Sequence, residues 1–508
     1  MNRIKQRKRP VSSITSSCFI FVLFFLLIPA ALFPYDLEKQ VKKITLDNGL
    51  TVLMLERRTS PTVSLYIRHR VGAVDEANGS TGAAHFLEHL MFKGTKTIGT
   101  KNYPAERKIL RDIYRIGTLL DQEKMKGGAA DKDQIKKLTN KLAALQKQHS
   151  AVFLSNEIDR LYTENGAVKL NASTGQDITT YQVSLPADKI ELWARIEADR
   201  MKNPLFREFY TERDVIMEER RQSVESDPEG KLMEQFLAAA FSAHPYGRPV
   251  LGWPSDMSHL SPDYIRYFFN LYHAPNNTVI AIVGDIESAS TIKLVKKYFG
   301  GIKSRKIKAP HITEEPAQKG EKRVEVSFPA NPQMVIGYHK PALPSFDDYV
   351  FDVIESILSS GRTSRFYKSL VEEKGLAESV DTANGIPAAR YPNLFAIFAT
   401  PRAPHSNAEL EAELYKEIEK LKLEAVSQEE IEKTKNQLKA DFIRGLASNA
   451  GLASKLSYYE ILTGDYRYLT NHINTIEKIT PADIIRVAKK YLTKENRTVA
   501  AIVRNNTD

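Results

Sequence analysis

The sequence predicts an α+β protein of two homologous domains, each an antiparallel-rich sheet covered by helices, with a helical-hairpin insertion in the first domain. Two observations favour this class. Short segments in which apolar and polar residues alternate, as in strands, are interspersed with segments of helical period. In addition, a helix followed by a strand occurs over residues 261–283 and again over residues 480–503. This internal repeat indicates two copies of one folding unit.

The first 33 residues differ in character from the rest and have the features of an export signal. A segment with five Lys and Arg residues precedes a nearly uninterrupted apolar run from Cys18 to Phe33. Pro29-Ala30-Ala31 is a weak cleavage site, and residues 17–33 are nearly long enough to stay as a membrane anchor, although cleavage is favoured. The sequence therefore predicts an exported protein, periplasmic or otherwise extracytoplasmic.

Charge and cysteine content exclude several classes of protein. The net charge of +10 falls to +5 without residues 1–31, which is no argument for a nucleic-acid partner. The only cysteine, Cys18, lies in the N-terminal segment. The exported part therefore has neither a disulfide nor a thiol nucleophile, which excludes a cysteine protease.

A β-hairpin begins the first domain. Its strands, within residues 44–55, flank Asn48-Gly49, a dipeptide that favours a type I′ turn. A third strand follows, in which polar residues alternate with the apolar residues Val63, Leu65 and Ile67. One face of this strand is therefore expected to point to the core.

The next stretch contains a candidate metal site, His85-Phe86-Leu87-Glu88-His89. On a helix, His85 and His89 lie one turn apart on one face, with Glu88 beside them. Two neutral imidazoles at this spacing suit a tetrahedral zinc ion, and a carboxylate beside the open position can accept a proton from a zinc-polarised water. The order His-x-x-Glu-His is the inverse of the commoner zinc-protease motif. The alternative is a buried polar cluster without a metal, whose polar groups would need other partners.

Residues from about 104 to 165 are predicted to form an inserted antiparallel helical hairpin. Apolar residues recur at helical spacing on both sides of Gly127-Gly128. The hairpin is either a packing arm or a surface that contacts a partner or substrate. His149 falls on its apolar side and is interpreted as a core histidine rather than a metal ligand.

A third zinc ligand is expected from elsewhere, and residues 211–219 are the best candidates. On a helix, Glu212 and Glu219 are seven residues apart and so nearly in line, whereas Glu218 points about 100° away. The spacing alone does not distinguish a ligand-bearing helix from a solvated glutamate-rich helix.

Taken with the paired glutamates, the motif at 85–89 resembles the pitrilysin/insulinase family of zinc metallopeptidases, and in particular its half-length bacterial and mitochondrial-processing-peptidase branch. The resemblance extends from about residue 40 to the C-terminus and includes the stretches Gly72-Ala73-Val74-Asp75-Glu76, Phe92-Lys93-Gly94-Thr95, Asn171-Ala172-Ser173-Thr174 and His244-Pro245-Tyr246-Gly247-Arg248-Pro249. It implies one Zn²⁺ per chain held by His85, His89 and Glu219. It further implies that Glu88 is the general base and that Glu212 hydrogen-bonds a ligand histidine.

The insertion places more residues between His89 and Glu219 than the family usually has, so it is expected near the mouth of the site. In the second domain, the family resemblance implies that Arg365 holds substrate, whereas Glu378 stands where the family frequently has tyrosine. Asn171 is also predicted to bind substrate, from an edge strand near the site.

The strand that contains Tyr181, Val183 and Leu185 is predicted to pair with an extended peptide. Family resemblance also implies that two half-length chains enclose the peptide. A homodimer, or a heterodimer with a related subunit, is therefore expected.

The predicted segments are a signal peptide or anchor (1–33), a catalytic zinc-binding domain (40–303), a linker (304–321) and a second domain without metal (322–508). The predicted function is zinc-dependent endopeptidase activity on peptides or unfolded protein segments. The alternative is a non-catalytic scaffold or partner subunit of a heteromeric peptidase of the same family. No nucleic acid is expected, and membrane contact is expected only through the N-terminal segment if it is retained.

Overall fold

Two mixed sheets covered by helices organise the chain, which confirms the predicted α+β class. The computed structural model describes residues 37–307 and 311–504, and the predicted export segment lies outside these ranges. The short helix α1 (Leu37–Gln40) belongs to a unit that ends at Gln40, and the elements named below belong to a compact unit that begins at Val41.

The first sheet has the strand order β1-β2-β6-β3-β5-β4. Neighbouring strands are antiparallel except β2 and β6, which are parallel. Its strands are β1 (Lys42–Thr45), β2 (Thr51–Glu56), β3 (Thr62–His69), β4 (Val168–Thr174), β5 (Thr179–Pro186) and β6 (Thr278–Gly284).

The second sheet repeats this arrangement in the order β7-β11-β8-β10-β9, with only β7 and β11 parallel. Its strands are β7 (Lys322–Ser327), β8 (Met334–Lys340), β9 (Ala377–Ile386), β10 (Asn393–Pro401) and β11 (Arg497–Val503). In both sheets a strand late in its half of the chain lies between two earlier strands, as expected for two copies of one unit.

The helices of the first half are α2 (Ala83–Met91), α3 (Tyr103–Lys124), α4 (Lys132–Ser150), α5 (Glu157–Thr163), α6 (Ile190–Lys202), α7 (Phe209–Arg220), α8 (Pro228–Ala240), α9 (Pro254–Met257), α10 (Pro262–Tyr272) and α11 (Ser288–Phe299). Those of the second half are α12 (Phe346–Ser359), α13 (Asn407–Leu423), α14 (Gln428–Gly445), α15 (Asn449–Thr463), α16 (Tyr468–Glu477) and α17 (Pro481–Tyr491). Two π-helical turns cover Arg221–Glu225 and Tyr367–Glu373.

The repeated helix and strand have the same local determinants in both halves. Ser261 caps α10 by accepting a hydrogen bond from the Tyr264 amide, and Thr480 caps α17 in the same way through Asp483. A proline occupies the first turn of each helix, where its missing N–H costs nothing.

The two halves exchange one helix each. Helix α8 of the first half packs on β7, β8 and β11, and helix α15 of the second half packs on β3 and β6. Phe236 of α8 lies in one apolar cluster with Val335 and Leu394 of the second sheet. Gly337 of β8 allows this contact, because a Cβ there would lie 2.4 Å from Phe236 Cζ.

This exchange corrects the prediction that β3 has one inward face. Ser64 and Tyr66, on the face expected to be solvated, are buried, as are the apolar residues that alternate with them. Arg68 of the same face donates hydrogen bonds to Ser454 Oγ and Ser457 Oγ of α15. The helix that covers this face, α15, is more than 380 residues away in the sequence. The alternation of residue types along β3 therefore could not predict that this face is covered.

The hairpin between β1 and β2 forms as predicted, but its turn is not type I′. Gly49 has φ +84°, whereas Asn48 is not among the residues with positive φ. The Gly49 amide donates to Leu46 O and the Leu46 amide to Leu50 O, a three-residue loop that ends in left-handed glycine. Asn48 instead donates its side-chain N–H groups to the carbonyls of Phe299 and Ile302.

Strand β5 was expected to pair with an extended peptide, and the sheet order contradicts this. It is hydrogen-bonded to β3 on one side and to β4 on the other, so it has no free edge. The edge strand on this side of the sheet is β4, which leaves one row of backbone groups open for a further strand.

The insertion forms the predicted hairpin of α3 and α4, separated by a turn at Gly127–Ala129. Its inner face contributes Ile113, Ile116, Leu120, Leu138 and Leu142 to the core of the first half. His149 is buried against Glu106, with Nε2 to Oε1 at 2.8 Å. Within residues 37–307 and 311–504, no helix combines the length and the apolar character needed to span a bilayer.

Candidate metal site

Helix α2, which contains His85, Glu88 and His89, begins at a backbone turn that requires glycine. Gly82 has φ +88°, and a Cβ there would lie 2.9 Å from the Leu251 carbonyl oxygen. Glycine has no side chain that could accept hydrogen bonds from the first amides of the helix. The carboxylate of Glu76 accepts them instead. It accepts hydrogen bonds from the amides of Gly82 and Ala84, each at 2.8 Å. Glu76 thus sets the start of the helix.

His85 and His89 face the same carboxylate of α7. Their rings lie 4.7 Å apart, centroid to centroid. The Nε2 atom of His85 is 3.8 Å from Glu219 Oε1, and Nε2 of His89 is 3.6 Å from Glu219 Oε2. Among the described residues, these three side chains are the group whose ligand atoms converge within 4.8 Å of one another.

The donor set fits zinc. With zinc–nitrogen bonds of about 2.0–2.1 Å, tetrahedral ligand atoms are about 3.4 Å apart, close to the separations between these atoms. Burial, together with the charge of His89, lowers the pKa of His85 to about 4, so His85 is neutral at pH 7 and keeps a lone pair for a metal. Side-chain exposures are 11% for His85 and 43% for Glu219, so the cluster is open on the side of α7.

Glu88 is buried beside this cluster. Thr174 Oγ1 of β4 donates a hydrogen bond of 2.6 Å to Glu88 Oε2. Burial raises the pKa of Glu88, with the hydrogen bond from Thr174 acting in the opposite direction. A carboxylate with a raised pKa is a stronger base than an exposed one, which suits proton transfer.

Glu212 and Glu219 face different nitrogen atoms of the His89 ring. Its Oε2 is 3.4 Å from His89 Nδ1, and its Oε1 is 2.5 Å from Lys93 Nζ. Burial alone would lower the pKa of His89, but the hydrogen bond to Glu212 and nearby carboxylate charges outweigh it and raise the pKa. A proton on Nδ1 leaves the lone pair of Nε2 directed at the metal cluster. Glu218 is exposed and bonds to Arg221 instead.

Helix α7 is held by the insertion. Arg213, one residue after Glu212, forms two hydrogen bonds with Asp121 of α3, at 2.9 and 2.8 Å. Tyr210 packs against Gly117, where a Cβ would lie 2.0 Å from the ring. These contacts show that one face of the insertion packs against α7, and the prediction that the insertion also contacts a partner or substrate stays a prediction.

Among the residues that the structure describes, neither of the two predicted substrate-binding residues forms a hydrogen bond or ion pair with the cluster. Asn171 lies on the edge strand β4 and is exposed, at an odd spacing from Thr174 and therefore on the opposite face of the strand. Arg365 forms a two-pronged ion pair with Glu430 of α14, at 2.9 and 2.8 Å. Within the described part of the chain, the hydrogen bonds and ion pair of Arg365 stay in the second half.

Sequence reasoning assigned no role to several residues around the site. Thr174 and Lys93 occur in the family-like stretches, but no local pattern signals that they contact Glu88 and Glu212. Arg390 of the second half forms a buried ion pair with Asp75, at 3.0 Å, just before Glu76. The second half of the chain therefore contacts the loop that precedes α2.

Comparisons with known proteins show the family to which the chain belongs. The family description Insulinase (Peptidase family M16) matches residues 51–121 and 127–253, and Peptidase M16 inactive domain matches residues 259–438. The chain is similar to the zinc protease PqqE of Helicobacter pylori, with 28% identity over 460 residues that cover 89% of this chain and 90% of that protein.

Solved structures show the same fold over almost the whole chain. A protease from Helicobacter pylori superposes with a TM-score of 0.76 and 26% identity, covering 91% of this chain and 99% of that one. The first half of the periplasmic protease PqqL from Escherichia coli has a TM-score of 0.67 and 17% identity, with 92% of each chain covered. Together with the family matches, this shows that the chain belongs to the insulinase (pitrilysin) family, M16, as a half-length member.

Proposed function

We propose that this chain is a zinc-dependent endopeptidase that hydrolyses peptides or unfolded protein segments in an exported compartment. The observation that carries the proposal is the convergence of His85, His89 and Glu219 beside the buried carboxylate of Glu88. Export is supported by the sequence of residues 1–33 and by the periplasmic location stated for the similar PqqL.

In this proposal His85, His89 and Glu219 hold one zinc ion, which when bound acidifies water and polarises a carbonyl group. Glu88 accepts a proton from the attacking water and delivers it to the leaving amine. Thr174 keeps the Glu88 carboxylate oriented through its hydrogen bond. Glu212 orients the ring of His89, and Lys93 keeps Glu212 ionised.

The free edge of β4 is proposed to bind the substrate main chain by adding a strand to the first sheet. Thr174, which contacts Glu88, lies at the end of β4, so a strand paired there would run past the general base. Asn171 and Arg365 remain proposed substrate-binding residues, and a related chain or a second copy is proposed to complete the enclosure.

The test is hydrolysis of an unstructured quenched-fluorescence peptide library by the full chain. Cleavage is expected in the zinc-loaded protein, is expected to stop when a chelator removes the metal, and is expected to return with added Zn²⁺. Cleavage that persists in protein shown to be metal-free would contradict the proposal. Zinc-loaded protein without cleavage, alone or mixed with a related chain, would favour the non-catalytic scaffold.

Replacing Glu219 by Gln is expected to weaken zinc binding by more than about 100-fold, because removal of a direct ligand costs more than removal of an outer partner. Glu218→Gln is the matched control: it removes the same charge one residue away, from an exposed position. Zinc content after dialysis against a metal buffer measures both variants. Equal zinc retention in the two would exclude Glu219 as a ligand.

A further inference from the structure

A cavity of about 580 Å³ is lined by residues outside the metal cluster. It is lined by α12, α14, α15 and α16 of the second half, with Arg68 of β3 on one side. None of the residues His85, Glu88, His89 and Glu219 lines it. Its volume is in the range of small-molecule sites rather than of a single ion.

One side of the cavity is acidic. Asp348, Asp352 and Glu355 follow one another at spacings of four and three residues on α12, and therefore share one face of the helix. Lys340 pairs with Asp348. Neither Asp352 nor Glu355 has an ion-pair partner among the residues that the structure describes. The α12 face therefore carries more negative than positive charge. Elsewhere in the lining, Asp441 pairs with Arg444, and Lys455 of α15 is exposed.

Each of the two unpaired carboxylates uses one oxygen. Asn384 donates its side-chain N–H to Asp352 Oδ1 and its backbone N–H to Glu355 Oε2, both at 2.7 Å. In the described part of the chain, the second oxygen of each carboxylate receives no hydrogen bond. Burial, opposed by the bond from Asn384, raises the pKa of Asp352 to about 7, a shift that a bound cation would reverse.

A fully buried amide in the wall has no partner. Asn393, at the start of β10, lines the cavity, and among the described residues neither its Oδ1 nor its Nδ2 forms a hydrogen bond. An unpartnered buried amide is costly and is uncommon in proteins. Asn393 lines the same cavity as the carboxylates, and its unpartnered amide is an independent sign that a polar ligand belongs here.

The other side of the cavity is aromatic. Tyr458 and Tyr459 of α15 lie edge to face at 5.5 Å, and Phe442 stacks on His472 at 5.6 Å. Arg68 also lies on this side. Its N–H groups are bonded to Ser457, Thr180 and Ser454, and its guanidinium carbon lies 5.6 Å from the centre of the Tyr458 ring, so Tyr458 already has a cation partner. Aromatic faces opposite carboxylates are a setting that stabilises organic cations.

We propose that this cavity binds an organic cation, an alkylammonium or guanidinium group, between Asp352 and Glu355 on one side and Tyr459 of α15 on the other. A bare metal ion fits less well, because the α12 carboxylates do not form a convergent group like the one at His85. The cation can come from a free polyamine or from a basic side chain of a peptide. Both present the same chemistry to the acidic face.

Calorimetric titration of the full chain tests this without requiring hydrolysis. The probes are spermidine, a short arginine-containing peptide and Mg²⁺. At least one of the two organic cations is expected to bind with a one-to-one ratio, and its affinity is expected to fall at least about tenfold in Asp352→Asn, which loses a charge-assisted contact. Spermidine binding would identify a free polyamine as the source, and peptide binding alone a basic side chain.

Glu372→Gln, which removes an exposed carboxylate in the same half, is the matched control and is expected to bind as the wild type does. Glu355→Gln serves as a second variant if Asp352→Asn melts at a lower temperature. Three results would overturn the proposal: no binding of either organic cation at millimolar concentration, equal affinity in the folded variants, or one-to-one binding of Mg²⁺ with the same loss in Asp352→Asn.

Discussion

Replacing Glu88 by Gln is expected to reduce peptide hydrolysis by about 10²–10⁴-fold, the usual contribution of a general base, while the protein keeps its zinc. Gln has the shape of Glu and can still accept the hydrogen bond from Thr174, but at neutral pH it cannot take up a proton. The measurements are kcat/KM on one cleaved peptide and zinc content of the same sample.

The expected pattern separates catalysis from metal binding. Glu88→Gln should lose hydrolysis with zinc retained, Glu219→Gln should lose both, and Glu218→Gln should lose neither. Hydrolysis by Glu88→Gln within tenfold of the wild type would show that another group is the base. Loss of zinc from Glu88→Gln would show that Glu88 supports the metal rather than the proton transfer.

Replacing Arg207 by Met is expected to lower the free energy of unfolding by about 3–5 kcal/mol, because it leaves the carboxylate of Glu106 buried with its guanidinium partner removed. Both side chains are fully buried. Arg207 donates two hydrogen bonds to Glu106, at 2.5 and 3.0 Å. It also donates to the carbonyls of Lys93, Thr95 and Ile98, which follow the metal helix. One side chain thus ties the insertion to the site.

Denaturant unfolding measures this loss, and two further variants test its cause. Arg115→Met breaks the exposed pair with Asp112 and is expected to change stability by less than about 1 kcal/mol. The double variant Arg207→Met with Glu106→Gln is expected to be more stable than Arg207→Met alone, since the buried charge is gone. If the double variant were no more stable, lost packing and carbonyl contacts would be the cause instead.

The second half of the chain does more than form an enclosing surface, because it also helps to position α2. Arg390 reaches Asp75, and Asp177 Oδ2 accepts hydrogen bonds from the backbone amides of Ala389 and Arg390. The pair with Asp75 joins the turn between β9 and β10 to the loop before α2, and the bonds to Asp177 join the same turn to the turn between β4 and β5. Helix α2 is therefore positioned by contacts from both halves of the chain.

The local features of this protein were readable from the sequence. Helix α2 with its histidines one turn apart, the two glutamates seven apart on α7 and the repeated helix and strand all follow from short-range periodicity and capping. The choice of Glu219 over Glu212 as the third ligand came from family resemblance, because both glutamates fit the helical spacing. In the structure Glu219 faces both Nε2 atoms, and Glu212 faces Nδ1 of His89.

The tertiary structure alone decided which distant segments meet. The order of the strands makes β4, and not β5, the free edge, and the exchange of α8 and α15 buries the second face of β3. The bond from Thr174 to Glu88 and the cavity lined by Asp352 and Glu355 also join segments far apart in the chain. Periodicity shows that a face is apolar, but burial and hydrogen bonding in three dimensions select its partner, so no local pattern could identify these contacts.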